Sequence, residues 1–268
     1  MGIESSINSK NKNKAHQKNL DKPEIFAERN KVAVKLLDRV FEYFFKKYFY
    51  SIRVKNKENY YLRNPGYANL FYGFHGCWWD GPLAALLCRK LYDSNFYIMI
   101  KDLYRLPALS LVGGFSIEKD SKYGILRAVN HSVKLLENPE NSLWLFPQGN
   151  VCISDSRPIK FQSGIAHICN KLKGVNLIPV AYRYTFLRSE KPEIFVEIGK
   201  PMVIENSVND KKVFLQNLQQ EFERFLDAQK LEISQGKLDE YEYLVHDDFD
   251  LFKKIENLVK PFFRLKIN

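Results

Sequence analysis

Residues 71–92 of the chain are FYGFHGCWWDGPLAALLCRKLY. A short apolar run, a turn and an apolar-periodic segment follow one another, and this order predicts a strand, a loop and a helix. His75 lies at the end of the predicted strand, and Asp80 stands just before Gly81 and Pro82 at the start of the helix. Asp is a favourable N-cap, and proline is tolerated in the first helical turn. The stretch predicts one strand–loop–helix unit with a histidine and an acid in its loop.

Outside this unit, short apolar runs alternate with amphipathic segments. The alternation is typical of an α/β domain with a mostly parallel central sheet flanked by helices. The predicted strands are 69–74, 96–100, 142–146, 176–184 and 193–198. The predicted helices are 81–92, 121–137, 164–172 and 208–234, with one or two short covering helices over 240–263. Pro179 falls inside a predicted strand, which places this position at a sheet edge or a strand start.

The composition excludes several classes of protein. Hydrophobic residues make up 45% of the 268 residues, which is enough for a globular core and argues against a disordered or fibrous chain. The four cysteines show no C-x-x-C spacing and the histidines no ligand spacing, so neither a disulfide scaffold nor a metal site is predicted. No apolar run approaches the ~18 residues of a membrane span, and the first residues lack the apolar segment of a signal peptide.

Positive charge is concentrated near the amino terminus. Residues 1–60 hold 14 Lys and Arg against 7 Asp and Glu, a net charge of +7 out of +10 for the whole chain. Residues 1–28 are polar and lysine-rich, and we interpret them as a disordered basic tail. A basic arm of this kind indicates nucleic acid or an anionic membrane surface as its partner.

The next segment, 29–54, is predicted to be an amphipathic helix. Its apolar residues recur at steps of three and four. They are Val32, Leu36, Leu37, Val40, Phe41, Phe44, Phe45, Tyr48 and Phe49. A basic helix with an aromatic apolar side can lie in a bilayer interface, or it can be an ordinary terminal helix docked on the core. Because the chain contains no recognised nucleic-acid module, we favour a membrane surface and predict no nucleic-acid partner.

The loop residues His75 and Asp80 can act as a catalytic pair. A turn of this length can fold the Asp80 carboxylate back onto the imidazole, fixing its tautomer and orientation as a base requires. The alternative is that Asp80 only caps the helix while His75 packs in the core. Cys77, between them, is either a thiolate nucleophile or, as we favour, a small buried residue.

Three further segments accompany this pair. They are VGGFSIEKD at 112–120, LWLFPQGNV at 143–151 and NLIPVAYRY at 176–184. In this order and spacing, the four segments resemble the motifs of the glycerolipid acyltransferase family, which contains 1-acylglycerol-3-phosphate acyltransferases and related lysophospholipid acyltransferases. The resemblance covers about residues 69–185.

The resemblance implies roles for individual residues. It makes His75 and Asp80 the catalytic pair, and it assigns a substrate-binding set. That set is Gly113, Gly114, Lys119, Phe146, Pro147, Gln148 and Gly149. Lys119 replaces a family arginine that contacts the acceptor's phosphate, and Gln148 replaces a glutamate. Asn150-Val151 replace the usual Thr-Arg. We therefore expect an altered acceptor, and HGCWWDG with FPQG looks closer to the branch that acylates glycolipids or carotenoid glycosides.

The expected function is transfer of a fatty acyl group to a lipid hydroxyl without a metal or bound cofactor. His75 would remove the hydroxyl proton, acyl-CoA or acyl carrier protein would supply the acyl group, and amides around Phe146–Gly149 could stabilise the oxyanion. We expect a peripheral or monotopic protein on the cytoplasmic face of a membrane. The alternatives are a non-catalytic lipid-binding protein and a nucleic-acid-binding α/β protein. The predicted units are the tail, the helix 29–54, an acyltransferase domain over 55–235 and covering helices over 236–268.

Overall fold

The computed structural model describes residues 24–92, 94–187, 189–205, 208–247, 254–255 and 258–260. Within these residues nine strands form one sheet. The strands are β1 Ser51–Lys55, β2 Asn69–Gly73, β3 Asn95–Lys101, β4 Gly114–Ile117, β5 Asn141–Leu145, β6 Gly174–Thr185, β7 Glu193–Ile198, β8 Met202–Glu205 and β9 Glu242–His246. The helices are α1 Lys31–Tyr48, α2 Asp80–Tyr92, α3 Lys122–Leu135, α4 Gly164–Lys171 and α5 Lys211–Ser234, with 3₁₀ turns at Lys57–Leu62, Leu103–Arg105 and Pro107–Val112.

The sheet is mostly parallel and is flanked by helices, which confirms the predicted α/β class. Its strand order is β4-β3-β5-β2-β6-β7-β1-β9, and β8 pairs with the first half of β6. The first five strands in this order, β4, β3, β5, β2 and β6, run parallel to one another. In contrast, β7 is antiparallel to β6, and β9 is antiparallel to β1. The carboxyl ends of β2, β5 and β6 therefore meet at one edge, where open α/β sheets bind their ligands.

Side chains of the central strand β2 alternate between two cores. Phe71 points into the core beneath α1 and α2, whereas Leu70 and Tyr72 belong to the core beneath α3, α4 and α5. This alternation is what a strand with a helical layer on each face requires. Among the helices of the described part of the chain, none is both long and apolar enough to cross a membrane.

Two segments predicted to be helical contain strands instead. The predicted helix over 29–54 ends at Tyr48, and residues 51–55 form β1, which pairs with β7 and β9. Residues 242–246, assigned by the sequence to covering helices, form the edge strand β9. Each strand has only five residues, so its alternating pattern of apolar and polar residues is too short to outweigh the helical spacing of the residues beside it. The rest of the predicted tail and covering helices lies largely outside the described residues.

The last residues of the predicted disordered tail are ordered along the edge strand β4. The Ile25 amide donates to the Ser116 hydroxyl (2.9 Å), and the Ser116 amide donates to the Ile25 carbonyl (2.9 Å). The Glu24 carboxylate also pairs with Arg127 at 2.9 Å. An open strand edge offers unpaired backbone groups, and this segment satisfies part of them.

Pro179 occupies the middle of β6, which corrects its predicted position at an edge or strand start. On one side of β6 the neighbour changes from β8, paired up to Leu177, to β7, paired from Val180. The Pro179 carbonyl accepts a hydrogen bond from the Gly199 amide at 2.9 Å, in the turn between β7 and β8. The missing N–H of proline therefore faces a gap in the ladder and costs no strand hydrogen bond.

Candidate active site

The loop that carries His75 begins at the carboxyl end of β2. Strand β6 continues past this point, and Tyr182 on β6 donates a hydrogen bond to the Phe74 carbonyl. Its ring lies so close to Gly73 that a Cβ there would be 2.8 Å from Tyr182 Cε1. The backbone immediately before His75 is therefore held by the neighbouring strand.

Asp80 lies where this loop ends and α2 begins, and its side chain is fully buried. Its Oδ2 accepts hydrogen bonds from His75 Nδ1 (2.9 Å) and from the amides of Gly76 (2.7 Å) and Cys77 (2.8 Å). Its Oδ1 accepts a hydrogen bond from the Tyr184 hydroxyl at 2.8 Å. The prediction that Asp80 is the N-cap is wrong, because Asp80 is the first residue of α2 and its carboxylate turns back to the preceding loop. A carboxylate, which accepts on every lone pair, satisfies all these donors.

The contact with Asp80 sets the tautomer of His75. Because the carboxylate only accepts, Nδ1 carries a proton, and in the neutral imidazole the lone pair is therefore on Nε2. The imidazole stacks on the Phe146 ring, with centroids 4.4 Å apart and an interplanar angle of 16°. About a quarter of the His75 side chain, 26%, is exposed to solvent. The geometry is that of an oriented general base with an accessible ring.

The loop after β5 brings Phe146, Pro147, Gln148 and Gly149 to the same sheet edge as His75. Gly149 has a φ of 77°, and its amide donates to the Phe146 carbonyl at 3.0 Å. The loop is also joined to the histidine, because the Cys152 amide donates to the His75 carbonyl at 2.8 Å. Since proline has no N–H and the Gly149 amide is engaged, the amides of Phe146 and Gln148 are the remaining oxyanion candidates of this turn.

Cys77, predicted to be a buried residue, is half-buried, and its surroundings disfavour the thiolate. Burial, followed by the charge of Asp80, raises its pKa to about 11. Its Sγ lies 3.4 Å from Asp80 Oδ1. A thiol can donate a hydrogen bond to this oxygen, whereas a thiolate would be repelled by it. An attacking cysteine needs a lowered pKa, so this environment opposes the acyl-enzyme alternative.

Lys119 is placed away from the histidine. It lines a pocket at the carboxyl ends of β3 and β4 together with Lys101, Asp102 and Glu118. It follows β4, which is three positions from β2 in the sheet, or about 14 Å at ~4.8 Å per strand. Burial, followed by the charge of Lys101, lowers the Lys119 pKa. The structure thus brings His75, Asp80 and Phe146 into contact and leaves Lys119 at a separate pocket of the same edge.

Gly113 and Gly114, also assigned to substrate binding by the resemblance, are packed within the sheet. Gly113 has a φ of 100°, and a Cβ there would lie 2.0 Å from the Phe96 carbonyl oxygen. A Cβ on Gly114 would lie 2.9 Å from the Leu109 carbonyl oxygen. The close approach of Gly113 to β3 and of Gly114 to the 3₁₀ turn Pro107–Val112 is a sufficient reason for the two glycines.

Tyr184 was not predicted from the sequence. It appears there only as the last aromatic residue of an apolar strand, 104 positions after Asp80. Burial, followed by the charge of Asp80, raises its pKa well above the ordinary value, so it remains a hydrogen-bond donor. No local signal distinguishes it from a residue that only packs in the core.

Comparisons with known proteins bear on the family and the fold of this chain. A family model described as Acyltransferase matches residues 51–183, from β1 to the second half of β6. The fold is similar to the crystal structure of the 1-acyl-sn-glycerophosphate (LPA) acyltransferase PlsC from Thermotoga maritima, with a TM-score of 0.52 and 14% sequence identity. That likeness covers 73% of this chain and 79% of the other. A comparison with curated proteins found no match.

Proposed function

Because this chain belongs to the glycerolipid acyltransferase family, we propose that it transfers a fatty acyl group from an acyl thioester to a hydroxyl of a lipid acceptor. The observation that carries the proposal is the 2.9 Å hydrogen bond between His75 Nδ1 and Asp80 Oδ2 at the exposed carboxyl edge of the sheet. The thioester is that of acyl-CoA or acyl carrier protein. The pair also argues against a protein that only binds lipid, because binding does not require an oriented base.

In the proposed reaction His75 Nε2 accepts the proton of the acceptor hydroxyl as the oxygen attacks the thioester carbonyl. The new carbon–oxygen bond forms while the carbonyl oxygen becomes an oxyanion, for which the amides of Phe146 and Gln148 are the candidate donors. Collapse of this intermediate breaks the carbon–sulfur bond, and the imidazolium of His75 returns its proton to the departing thiolate. Asp80 stabilises the imidazolium between these two steps.

The direct test is an acyl-transfer assay with purified protein. One acyl-CoA is offered with lysophosphatidate or with a hydroxylated glycolipid, and both the free thiol and the acylated lipid are measured. Transfer to either acceptor supports the proposal. Binding of both lipids without release of free thiol would favour the non-catalytic lipid-binding alternative.

The pocket around Lys119 is the proposed site for an anionic group of the acceptor. Two ammonium groups, those of Lys119 and Lys101, approach closely enough for one to lower the pKa of the other. Bringing like charges together is unfavourable unless an anion or acidic neighbours compensate it, and Asp120 and Asp102 oppose the effect of Lys101 on the Lys119 pKa. The chain departs from the family pattern at Lys119 and Gln148 together, so a glycosylated acceptor remains the favoured alternative to lysophosphatidate.

Replacing Lys119 by methionine tests this pocket. If the acceptor carries a phosphate, loss of one charge-assisted contact of roughly 1.5–3 kcal/mol should lower kcat/KM about tenfold to a hundredfold, mainly through KM. Lys119→Arg should retain or improve use of lysophosphatidate, because guanidinium binds phosphate in a bidentate manner. A neutral hydroxylated acceptor is the control and should be little affected. Equal losses on both acceptors would contradict a phosphate contact.

A membrane surface is the proposed partner of helix α1. One side of the helix packs on the core through Phe41 and Phe45. A second side remains exposed and forms what we call the exposed stripe. It consists of Val32, Leu36, Val40 and Tyr43, which are 37–76% exposed. Lys31, Lys35 and Arg39 each precede one of its residues, so a basic row lies beside the apolar one. This arrangement suits the interface of an anionic bilayer, and we propose the cytoplasmic face.

Changing all four residues of the exposed stripe to serine should release the protein from lipid vesicles. We expect the bound fraction at a fixed lipid concentration to fall about tenfold or more, because each residue loses apolar burial in the interface. High salt should release the wild type only partly, since apolar burial is not screened. Phe45 is fully buried, so replacing it would test folding and not membrane contact.

The matched control changes two exposed apolar residues of α5, Val213 and Leu231, to serine. The bound fractions of the wild type, the stripe variant and the control are measured in parallel by sedimentation with vesicles containing phosphatidylglycerol. Binding that is unchanged in the stripe variant would contradict the proposed contact. An equal loss of vesicle binding in the stripe variant and in the control would indicate that replacing any exposed apolar residues by serine weakens binding.

A further inference from the structure

The two oxygens of the Asp80 carboxylate are held by different parts of the chain. Oδ2 accepts from three N–H groups of residues 75–77, all within one turn of Asp80. Oδ1 has no amide donor among its contacts in the described chain, and its strong partner is the Tyr184 hydroxyl at 2.8 Å. The Cys77 thiol also reaches Oδ1 at 3.4 Å, but a thiol is a weak donor.

The position of Tyr184 is set by strand pairing. Strand β2 last pairs with β6 at Val180, and β6 continues to Thr185 beside β7, where Tyr184 pairs with Ile194. The extension carries Tyr184 over the loop that follows β2. Its ring lies 5.9 Å from the ring of Phe49, so the phenol is held by a sheet and by packing. A donor on a rigid element places its hydrogen bond more reproducibly than one on a loop.

We propose that Tyr184 is a positioning residue that keeps the Asp80 carboxylate in the orientation that meets His75 Nδ1 and moderates its negative charge. A donor to a carboxylate stabilises the charge locally and thereby weakens its attraction for a neighbouring imidazolium. The Tyr184 hydroxyl binds Asp80, so it acts on the base through the carboxylate. The inference on rate rests on the proposed acyl transfer, whereas the inference on His75 ionisation does not.

The sign of the effect follows from the groups that face the carboxylate. His75 and Cys77 face it from the loop, and Tyr182 and Tyr184 face it from β6. Burial and Asp80 raise the pKa of the two tyrosines and the thiol, which keeps all three neutral at ordinary pH. Removal of the Tyr184 hydroxyl leaves more negative charge opposite His75. The imidazole should then bind its proton at higher pH.

The test is Tyr184→Phe, which keeps the ring and removes the hydroxyl. The protein is prepared with isotopically labelled histidine, and the histidine ring protons are followed by NMR from pH 5 to 9. The signal of His75 is identified by its loss in His75→Gln. We expect its titration midpoint to rise by about half a pH unit or more in Tyr184→Phe. The control is Tyr72→Phe. Tyr72 is a buried tyrosine of β2 that packs in the opposite core against Phe222, so the His75 midpoint in this variant should match that of the wild type.

Activity supplies the second readout. In Tyr184→Phe, kcat should fall about threefold to thirtyfold with the KM for the lipid acceptor unchanged, and the acid limb of the rate profile should move to higher pH. In an Asp80→Asn background the same change should cost little more, because its effect passes through the carboxylate.

An unchanged or lowered His75 midpoint in Tyr184→Phe would overturn the inference, as would a loss of rate that simply multiplies with that of Asp80→Asn. If the wild type transfers no acyl group, the proposed function fails while the NMR titration still decides the role of Tyr184.

Discussion

Replacing His75 by alanine should reduce acyl transfer to the background rate while the protein still folds. A positioned general base contributes about 10²–10⁴-fold, and His75 is the side chain that Asp80 orients for this role in the proposed reaction. The imidazole is partly exposed, so its removal leaves the two cores intact. The rate is measured as thiol release with a competent acceptor, and folding as the circular dichroism spectrum and its thermal midpoint.

Asp80→Asn should slow the reaction strongly but less than His75→Ala. An asparagine oxygen can replace Oδ2 and keep the His75 contact, while its amide group can face the Tyr184 hydroxyl, which also accepts hydrogen bonds. The variant therefore loses the charge that stabilises the imidazolium and keeps much of the geometry. Cys77→Ala is the matched loop control and should retain most activity. Normal turnover in His75→Ala would refute the mechanism, and inactivation by Cys77→Ala would favour an acyl-enzyme.

The second large effect is expected on stability. Gly113→Ala should destabilise the protein by about 3 kcal/mol or more, because alanine is strained at a φ of 100° and its Cβ would collide with a carbonyl oxygen of β3. That oxygen belongs to the Phe96 backbone and cannot move without breaking the pairing of β3 with β4 and β5. Urea unfolding measures the change as a lower transition midpoint.

Gly164→Ala is the control for this substitution. Gly164 is the first residue of α4, and a Cβ added there would meet no atom of a neighbouring element of the described chain within 4 Å. Alanine should therefore fit, and it favours the helix by up to about 1 kcal/mol. The two variants add the same methyl group in opposite environments. A Gly113→Ala protein as stable as wild type would mean that β3 and β4 are not packed as described.

Much of the architecture could be predicted from local pattern alone. The strands near β2, β3, β5, β6 and β7 and the helices α2 to α5 have apolar runs or helical periods long enough to identify them. The His75–Asp80 pair could also be predicted, since both residues and two further donors to the carboxylate lie within residues 75–80. A hydrogen-bonded turn is a local structure, and its residue types and spacing are sufficient to indicate it.

Other features depend on which strands become neighbours. Phe49 and Ile52 continue the helical spacing of α1, but pairing with β7 makes 51–55 a strand, and pairing with β1 does the same for 242–246. Tyr184 reaches Asp80 because β6 lies beside β2 and extends beyond its end. Lys119 is separated from His75 because β3 and β5 lie between the strands that precede these two residues. Local sequence was thus sufficient for the fold class and for the contact between His75 and Asp80. The surroundings of that pair depend on the folded chain, because contacts between distant segments follow from strand order and burial, which no local period encodes.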